Sequence, residues 1–387
     1  MSPRAKRVLI LMSATGGGHR ASAEALQSAF AERFGSSFQV DIIDLWMEHA
    51  PWPLNRIPKS YRFLADDTPW LWEFIYDRSA EKPAVINPLM DAISKLAGKP
   101  VLEVISHYDP DVMICVHPLL HQVPLKLMER VRRRIPFVTV ITDLTSFHPA
   151  WLNKAVDLCF VPTREAQEFA LRSGMRPEQL RLFGLPIRPV FARSPLPKEV
   201  LRPQLGLLAD VPVALIVGGG EGMGPVAKIA RAVAARLAAD GQRLGRCYGQ
   251  LAIICGRNQK LQEEITGHDW PIPTVVEGFV HNMADWMAAC DCIVTKAGPG
   301  TIAEALARGL PILLSGYLKG QEEGNVPYVL SHGVGVYCKV PQQIAEVISN
   351  WFGPERAVLE GLAQRASQSG SPQAVFQIVE EIARLAS

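Results

Sequence analysis

One pattern occurs twice along the 387-residue chain and limits its fold more than any other feature: a short apolar run, a glycine loop, then a helical stretch. The first copy runs from residues 8–12 through Ser13-Ala14-Thr15-Gly16-Gly17-Gly18 into 21–30, and the second from 213–217 through Gly218-Gly219-Gly220-Glu221-Gly222 into 226–237. Further apolar runs follow each copy, at 40–43, 112–116, 137–141 and 158–161, and at 251–255, 274–276, 292–295 and 311–314. Helical patterns lie between them, notably at 123–131, 164–173 and 301–308. Short runs without polar alternation read as strands buried on both faces. Strands that alternate with helices form a parallel sheet covered on both sides.

A Pro-rich stretch around Gly184-Leu185-Pro186-Ile187-Arg188-Pro189, continued by Pro195, Pro197 and Pro203, separates the two series. The fold class is therefore α/β, with two Rossmann-like, doubly wound parallel-sheet domains. The expected division is 1–185, a linker at 186–210, and 211–387, with the last helix placed so that it can return to the first domain. Ligands of such sheets bind at the carboxyl ends of the strands. Hydrophobic residues make up 48% of the chain, enough for packed cores, and no apolar stretch reaches the length of a membrane-spanning helix. The apolar run at 8–12 is also too short for a signal peptide. These features predict a protein that stays in the cytoplasm, either soluble or peripheral at the cytoplasmic face of a membrane. Residues 1–193 hold 24 basic against 20 acidic side chains, a mild tilt toward anionic surfaces that does not call for nucleic acid. The seven cysteines sit mainly in apolar runs, as small hydrophobes, and lack the spacing of a zinc site.

The chemistry-bearing residues cluster after strands. His19 follows three glycines at the start of a helix, where the positive end of the helix dipole favours a neutral imidazole, the form a general base needs. The same segment, Gly16-x-Gly18-x-x-Ala21, also fits a dinucleotide fingerprint with Asp41 or Asp44 as ribose acid, so a nicotinamide-dependent oxidoreductase is one alternative. Gly219 and Gly220 form a second phosphate-suited loop, without the Lys-Ser/Thr of a Walker motif. Thr295-Lys296-Ala297-Gly298-Pro299-Gly300-Thr301 ends a strand and opens a helix, a diphosphate cradle, with Glu304 placed for ribose hydroxyls. Gln321 and Glu322 follow the next strand and suit sugar hydroxyls. Asp143 stands at a strand end, where it can orient the base; His117 and His148 follow strand ends too, with substrate contact and structural roles equally open. Asp109-Pro110-Asp111 resembles a metal-binding pair but precedes its strand, at the wrong end of the sheet, and no metal site is expected.

Residues 45–99 break the alternation. They hold Trp46, Trp52, Trp70 and Trp72, with Tyr61, Phe63, Phe74 and Tyr76, and Lys59, Arg62, Arg78 and Lys82 are interspersed. Two readings stay open: a helical excursion with its own core, or a lipid-facing surface of interfacial aromatics and basic side chains. Arg132-Arg133-Arg134 likewise reads as a solvated helix end or an anionic-lipid contact.

The motifs GGGHRASAEA, VITDLTSFHPAW, FGLPIRPVF, GGGEGMGP, ICGRN, TKAGPGTIAEALARGLPILLSGY and GQEEGNVPYV together resemble the monogalactosyldiacylglycerol synthases, over nearly the whole chain. The resemblance implies a GT-B fold and inverting transfer of galactose from UDP-galactose to 1,2-diacylglycerol. It assigns the catalytic base to His19, beside which Asp143 is the candidate orienting group; Gly17, Gly18 and His148 are the candidate acceptor contacts. Donor contacts fall to Gly219, Gly220, Arg257, Phe279, Val280, Gly298, Pro299, Gly300, Thr301, Glu304, Gln321, Glu322 and Asn325. No cofactor is implied; the implied partners are UDP-sugar, diacylglycerol and an anionic membrane surface, with anionic lipid as activator. The family usually has Asp where this chain has Ala14, which leaves the activation of the base to another group. Two alternatives remain beside it: a UDP-glucose-dependent, processive diacylglycerol glucosyltransferase, and a non-catalytic regulator that binds lipid or nucleotide-sugar.

Overall fold

A computed structural model describes residues 4–13, 17–52, 54–56, 83–145, 147–319 and 321–386, with the backbone alone over 83–92. Ala14, and from the aromatic segment Trp70, Trp72, Tyr61, Phe63, Phe74, Tyr76, Lys59, Arg62, Arg78 and Lys82, lie outside these residues.

The chain forms two units: residues 1–189, 319–321 and 373–387 make the first, and 190–318 and 322–372 the second. The first is built on a six-stranded sheet in the order β2-β1-β3-β4-β5-β6. Its strands are β1 (Lys6–Met12), β2 (Phe38–Asp44), β3 (Val112–Cys115), β4 (Phe137–Val140), β5 (Leu158–Val161) and β6 (Leu180–Leu182). Every pairing is parallel. Alternate side chains face opposite sides of a strand, and here both sides are apolar. Leu9, Leu11, Met113, Cys115 and Phe137 pack with Ala97, Val101 and Ile105 of helix Pro83–Tyr108 and Val123 and Leu127 of helix Gln122–Arg130. Val8, Ile10, Ile114, Val138 and Phe160 face the other way, onto Leu26 and Phe30 of helix Gly17–Phe34.

The second layer on that side comes from helix Ala374–Leu385, which inserts Val375, Ile378, Val379 and Ile382 into the same core. Each such side chain contributes about 1.5–3 kcal/mol by leaving water. Two ion pairs flank it, Arg181–Glu381 at 2.8 Å and Arg33–Glu380 at 2.6 Å.

The second unit repeats the plan with the order β12-β11-β10-β7-β8-β9. Its strands are β7 (Val213–Val217), β8 (Gln250–Ile254), β9 (Thr274–Glu277), β10 (Cys292–Lys296), β11 (Ile312–Gly316) and β12 (Gly335–Tyr337). Ile216, Ile253, Val294 and Leu313 pack beneath Ile229 and Val233 of helix Val226–Leu244 and Ile348 and Trp351 of helix Pro341–Trp351. In both sheets the strand order reverses beside the first strand of the unit, between β1 and β3 and between β7 and β10. Helices leave toward opposite faces at such a point and open a crevice between the loops that follow.

The Pro-rich stretch from Val190 belongs to the second unit. Asp291, just ahead of β10, holds it there. Its carboxylate accepts from Lys198 Nζ at 2.8 Å, Arg202 Nη2 at 2.7 Å and the Val213 backbone N–H at 2.8 Å. Arg202 also donates to the carbonyls of Ala289 and Ala209, so each of the three nitrogens of a buried guanidinium has a partner. Removing one member of such a network leaves its partner buried and uncompensated. Asp291→Ala is therefore expected to lower the unfolding free energy by about 3–5 kcal/mol, measured by denaturant titration of the full chain; a loss near the surface-pair range would show that the network is solvated.

Candidate functional site

In the first unit, the loops at the β1/β3 crevice and after β4 bring three aromatic rings together. His19 stands in the first turn of helix Gly17–Phe34, behind Gly17 and Gly18, which are exposed and whose missing side chains would meet nothing within 4 Å. Its Nδ1 lies 2.8 Å from Thr142 Oγ1, at the end of β4. The His117 ring, just beyond β3, packs edge-on against it with centroids 4.8 Å apart, and the Trp151 ring lies at 5.9 Å. Burial pushes the His19 pKa down to about 4 from 6.5, against the opposing effect of a hydrogen bond to the Val116 backbone carbonyl. The imidazole is thus neutral at neutral pH.

The surrounding groups hold that arrangement. His117 is buried and its Nδ1 accepts from the Leu119 backbone N–H at 3.2 Å, which puts its proton on Nε2. Burial, and then the neighbouring His19 and His121, keep its pKa well below the usual histidine value. Asp143 Oδ2 accepts from Trp151 Nε1 at 2.7 Å, so the carboxylate fixes the indole that faces His19. His148 Nδ1 accepts from the Ala150 N–H at 3.0 Å and caps the turn Pro149–Trp151 that carries the indole. Asp109 and Asp111 sit at the opposite end of β3, engaged with Arg133 at 2.6 Å and with the Arg7 N–H at 2.8 Å. Arg134 pairs with Asp157 at 3.2 Å.

In the second unit, the β7/β10 crevice is lined by glycine. The loop after β7 turns through Gly219 and Gly222, with φ of +72° and +61°. A Cβ on Gly218 would come within 2.4 Å of the Met223 carbonyl oxygen, so this position must be bare for the turn to close. The Gly220 carbonyl accepts from the Arg257 N–H at 2.9 Å. Beyond β8, the Arg257 guanidinium lies over the Phe279 ring at 4.1 Å and reaches Glu221 at 3.4 Å. Phe279 is 44% exposed and, with half-buried Val280, follows β9.

Across the crevice, Gly298 caps helix Pro299–Ala307, and Gly300 in its first turn has no atom within 4 Å of where a Cβ would be. Thr301 and Glu304 follow on that helix, both half-buried. Asn325 is fully buried and donates to the Ala297 carbonyl at 2.9 Å, which anchors the turn from beneath. Glu322 is buried as well. One carboxylate oxygen accepts from Lys296 Nζ and the other from the Leu318 N–H at 2.9 Å. Gln321 is assigned to the first unit and Glu322 to the second.

Thr142, Trp151 and Lys296 were not singled out from sequence. Thr142 and Trp151 lie within VITDLTSFHPAW, yet only the register of β4 shows that Thr142 points toward the imidazole. Lys296 had a signal, a lone cation between a strand and a Gly-Pro-Gly turn.

Residues 19–187 match the family model for monogalactosyldiacylglycerol synthase, and residues 213–371 that for the glycosyltransferase family 28 C-terminal domain. The chain is 48% identical over 383 residues to the chloroplastic monogalactosyldiacylglycerol synthase of Spinacia oleracea, covering 98% of this chain and 72% of that one. It is 46% identical over 385 residues to monogalactosyldiacylglycerol synthase 1 of Arabidopsis thaliana, covering 99% and 71%. Among solved structures, MurG of Acinetobacter baumannii superposes with a TM-score of 0.60 at 16% identity, covering 98% of this chain and 99% of that one. That last likeness supports the GT-B fold, while the first two establish kinship: the chain belongs to the monogalactosyldiacylglycerol synthase family of glycosyltransferases.

Proposed function

We propose that the protein transfers galactose from UDP-galactose to the free hydroxyl of 1,2-diacylglycerol with inversion, forming monogalactosyldiacylglycerol at a membrane surface. The observation that carries this reading is a neutral imidazole in a family of galactolipid synthases: His19, desolvated among Thr142, His117 and Trp151. A base that is neutral at working pH can take the proton of an alcohol as that oxygen attacks the anomeric carbon. The bond from the anomeric carbon to the diphosphate breaks as the new bond forms, the proton passes to His19, and UDP leaves. Negative charge grows on the diphosphate as it departs. The N–H groups of Gly300 and Thr301, in the first turn at the positive end of helix Pro299–Ala307, suit that charge.

The remaining assignments follow the chemistry of each group. Gly17 and Gly18 leave room for the acceptor beside the base, and Asp143 and His148 act on His19 through the indole that they position. On the donor side, the Arg257–Phe279 stack with Val280 offers a flat surface for the uracil, Gly219 and Gly220 the diphosphate approach, Glu304 the ribose contact, and Gln321 and Glu322 the sugar contacts. Asn325 supports Gly298, Pro299 and the turn from below. Among the described residues no helix is long and apolar enough to cross a membrane. Exposed Trp52, Leu96 and Val131 support contact with a bilayer surface, with anionic lipid as activator.

The decisive measurement is lipid-product formation from UDP-galactose and, separately, UDP-glucose, with diacylglycerol in mixed micelles containing anionic lipid. A β-linked monogalactolipid from UDP-galactose alone is expected; a glucolipid or a ladder of longer products would move the protein to the glucosyltransferase reading. His19→Ala should lower kcat by at least about 100-fold while calorimetric UDP affinity is kept; loss of UDP binding in that variant would remove His19 from the acceptor side. Because the base works when deprotonated, the acid limb of kcat/KM should fall near pH 4 and not near 6.5, and a limb at the ordinary histidine value would place the base elsewhere. Glu304→Ala should weaken UDP about 10-fold or more, and an unchanged affinity would take it out of the ribose contact.

A further inference from the structure

Lys296, at the end of β10, reaches into the glycine-lined crevice of the second unit. Its Cε is 3.5 Å from where a Cβ on Gly219 would stand, and its Nζ 3.2 Å from where one on Gly298 would stand. The ammonium therefore sits between the two loops that would hold a diphosphate. Its side chain is 29% exposed, whereas that of its partner Glu322 is 7% exposed. Glu322 has a second, independent anchor in the Leu318 N–H, so it stays in place when the lysine moves. Lysine carries a compact charge on a flexible stem and can swing between partners where arginine's planar fork would be committed.

We infer that Lys296 and Glu322 form an exchangeable ion pair that couples the two ends of the donor: the diphosphate takes Lys296 from Glu322, and the freed carboxylate then binds hydroxyls of the sugar. The inference rests on the nucleotide-sugar reading above and adds a mechanism of selectivity to it. A diphosphate carries several negative charges where a carboxylate carries one, so it outcompetes Glu322 for the ammonium. A buried carboxylate deprived of its cation is costly. Sugar hydroxyls relieve that cost by donating to it, and UDP alone does not. The pair thus makes the site favour an intact donor over its spent product, because only the donor supplies both the charge that draws Lys296 away and the hydroxyls that satisfy Glu322.

Calorimetric titration of the full chain with UMP, UDP and UDP-galactose tests this, using wild type, Lys296→Met, Glu322→Gln and the double variant, each checked for folding by thermal unfolding. Lys296→Met should weaken UDP about 10- to 100-fold and leave UMP nearly unaffected. Glu322→Gln, which frees the lysine in advance, should tighten UDP several-fold and erase the preference for UDP-galactose over UDP. In the double variant the gain from Glu322→Gln should vanish. Equal losses for UMP and UDP in Lys296→Met, or UDP binding unchanged or weakened by Glu322→Gln, would make the pair a fixed scaffold and overturn the exchange. If Lys296→Met does not fold, the Glu322→Gln comparison decides alone, by the same outcomes. Wild-type protein that binds none of the three nucleotides would overturn the donor reading and this inference together; wild-type binding with an unresponsive Glu322→Gln would overturn the exchange alone.

Discussion

Covering a parallel sheet with helices on both faces leaves it one place to do chemistry. The interiors of the central strands are buried among Val, Ile, Leu and Phe, and a charged side chain there would lose its hydration without gaining a partner. The polar groups of both units accordingly collect beyond the carboxyl ends, where strand order reverses and the loops part. His19 and His117 stand beyond β1 and β3, Gly219 and Lys296 at the ends of β7 and β10. The glycines at these ends are a second consequence. A loop that must bend sharply off a buried strand and still leave space beside a helix start has little room for side chains, as the 2.4 Å approach at Gly218 shows.

The two crevices solve opposite electrostatic problems. Around His19 the neighbours are an indole, another imidazole and a threonine hydroxyl, all uncharged, and the carboxylate of Asp143 is turned to the indole. Such surroundings disfavour imidazolium and keep a proton acceptor ready. The second unit instead concentrates formal charge, Lys296 with Glu322 and Arg257 with Glu221, at loops that would meet an anionic ligand. A neutral imidazole and a charged cradle are what the proposed transfer needs, in which one partner gives up a proton and the other departs as an anion.

Much of this was legible in the residues. Ten strand runs were marked by uninterrupted apolar stretches, and those strands are present. The two that were not marked, β6 (Leu180–Leu182) and β12 (Gly335–Tyr337), are three-residue strands at the sheet edges. An edge strand is covered less completely, so Arg181 is tolerated in β6; in β12 the apolar signal breaks at Gly335, where a Cβ would come within 2.0 Å of the Ile312 carbonyl oxygen. The stretch 190–210 illustrates another limit. Within the linker expected at 186–210, Lys198 and Arg202 converge on Asp291, a partner about ninety positions away that no local pattern reveals. Orientation was the least legible property. Asp143 and His148 were recognised as strand-end residues, yet their hydrogen bonds to Trp151 and to the Ala150 N–H depend on how one short loop folds back.

The return of helix Ala374–Leu385 to the first unit has a bearing on how the protein is made. Residues 1–189 leave the ribosome first, but one face of their sheet stays uncovered where Val375, Ile378, Val379 and Ile382 belong. The second unit, whose core draws on residues 214–362, has all its parts at an earlier moment of synthesis than the first. The unit that carries His19 is therefore begun before the other and completed after it. During that interval a strip of Val8, Ile10 and Phe160 is open to whatever apolar surface the nascent chain meets, and a nascent chain lacking its last helix would keep that strip open for good.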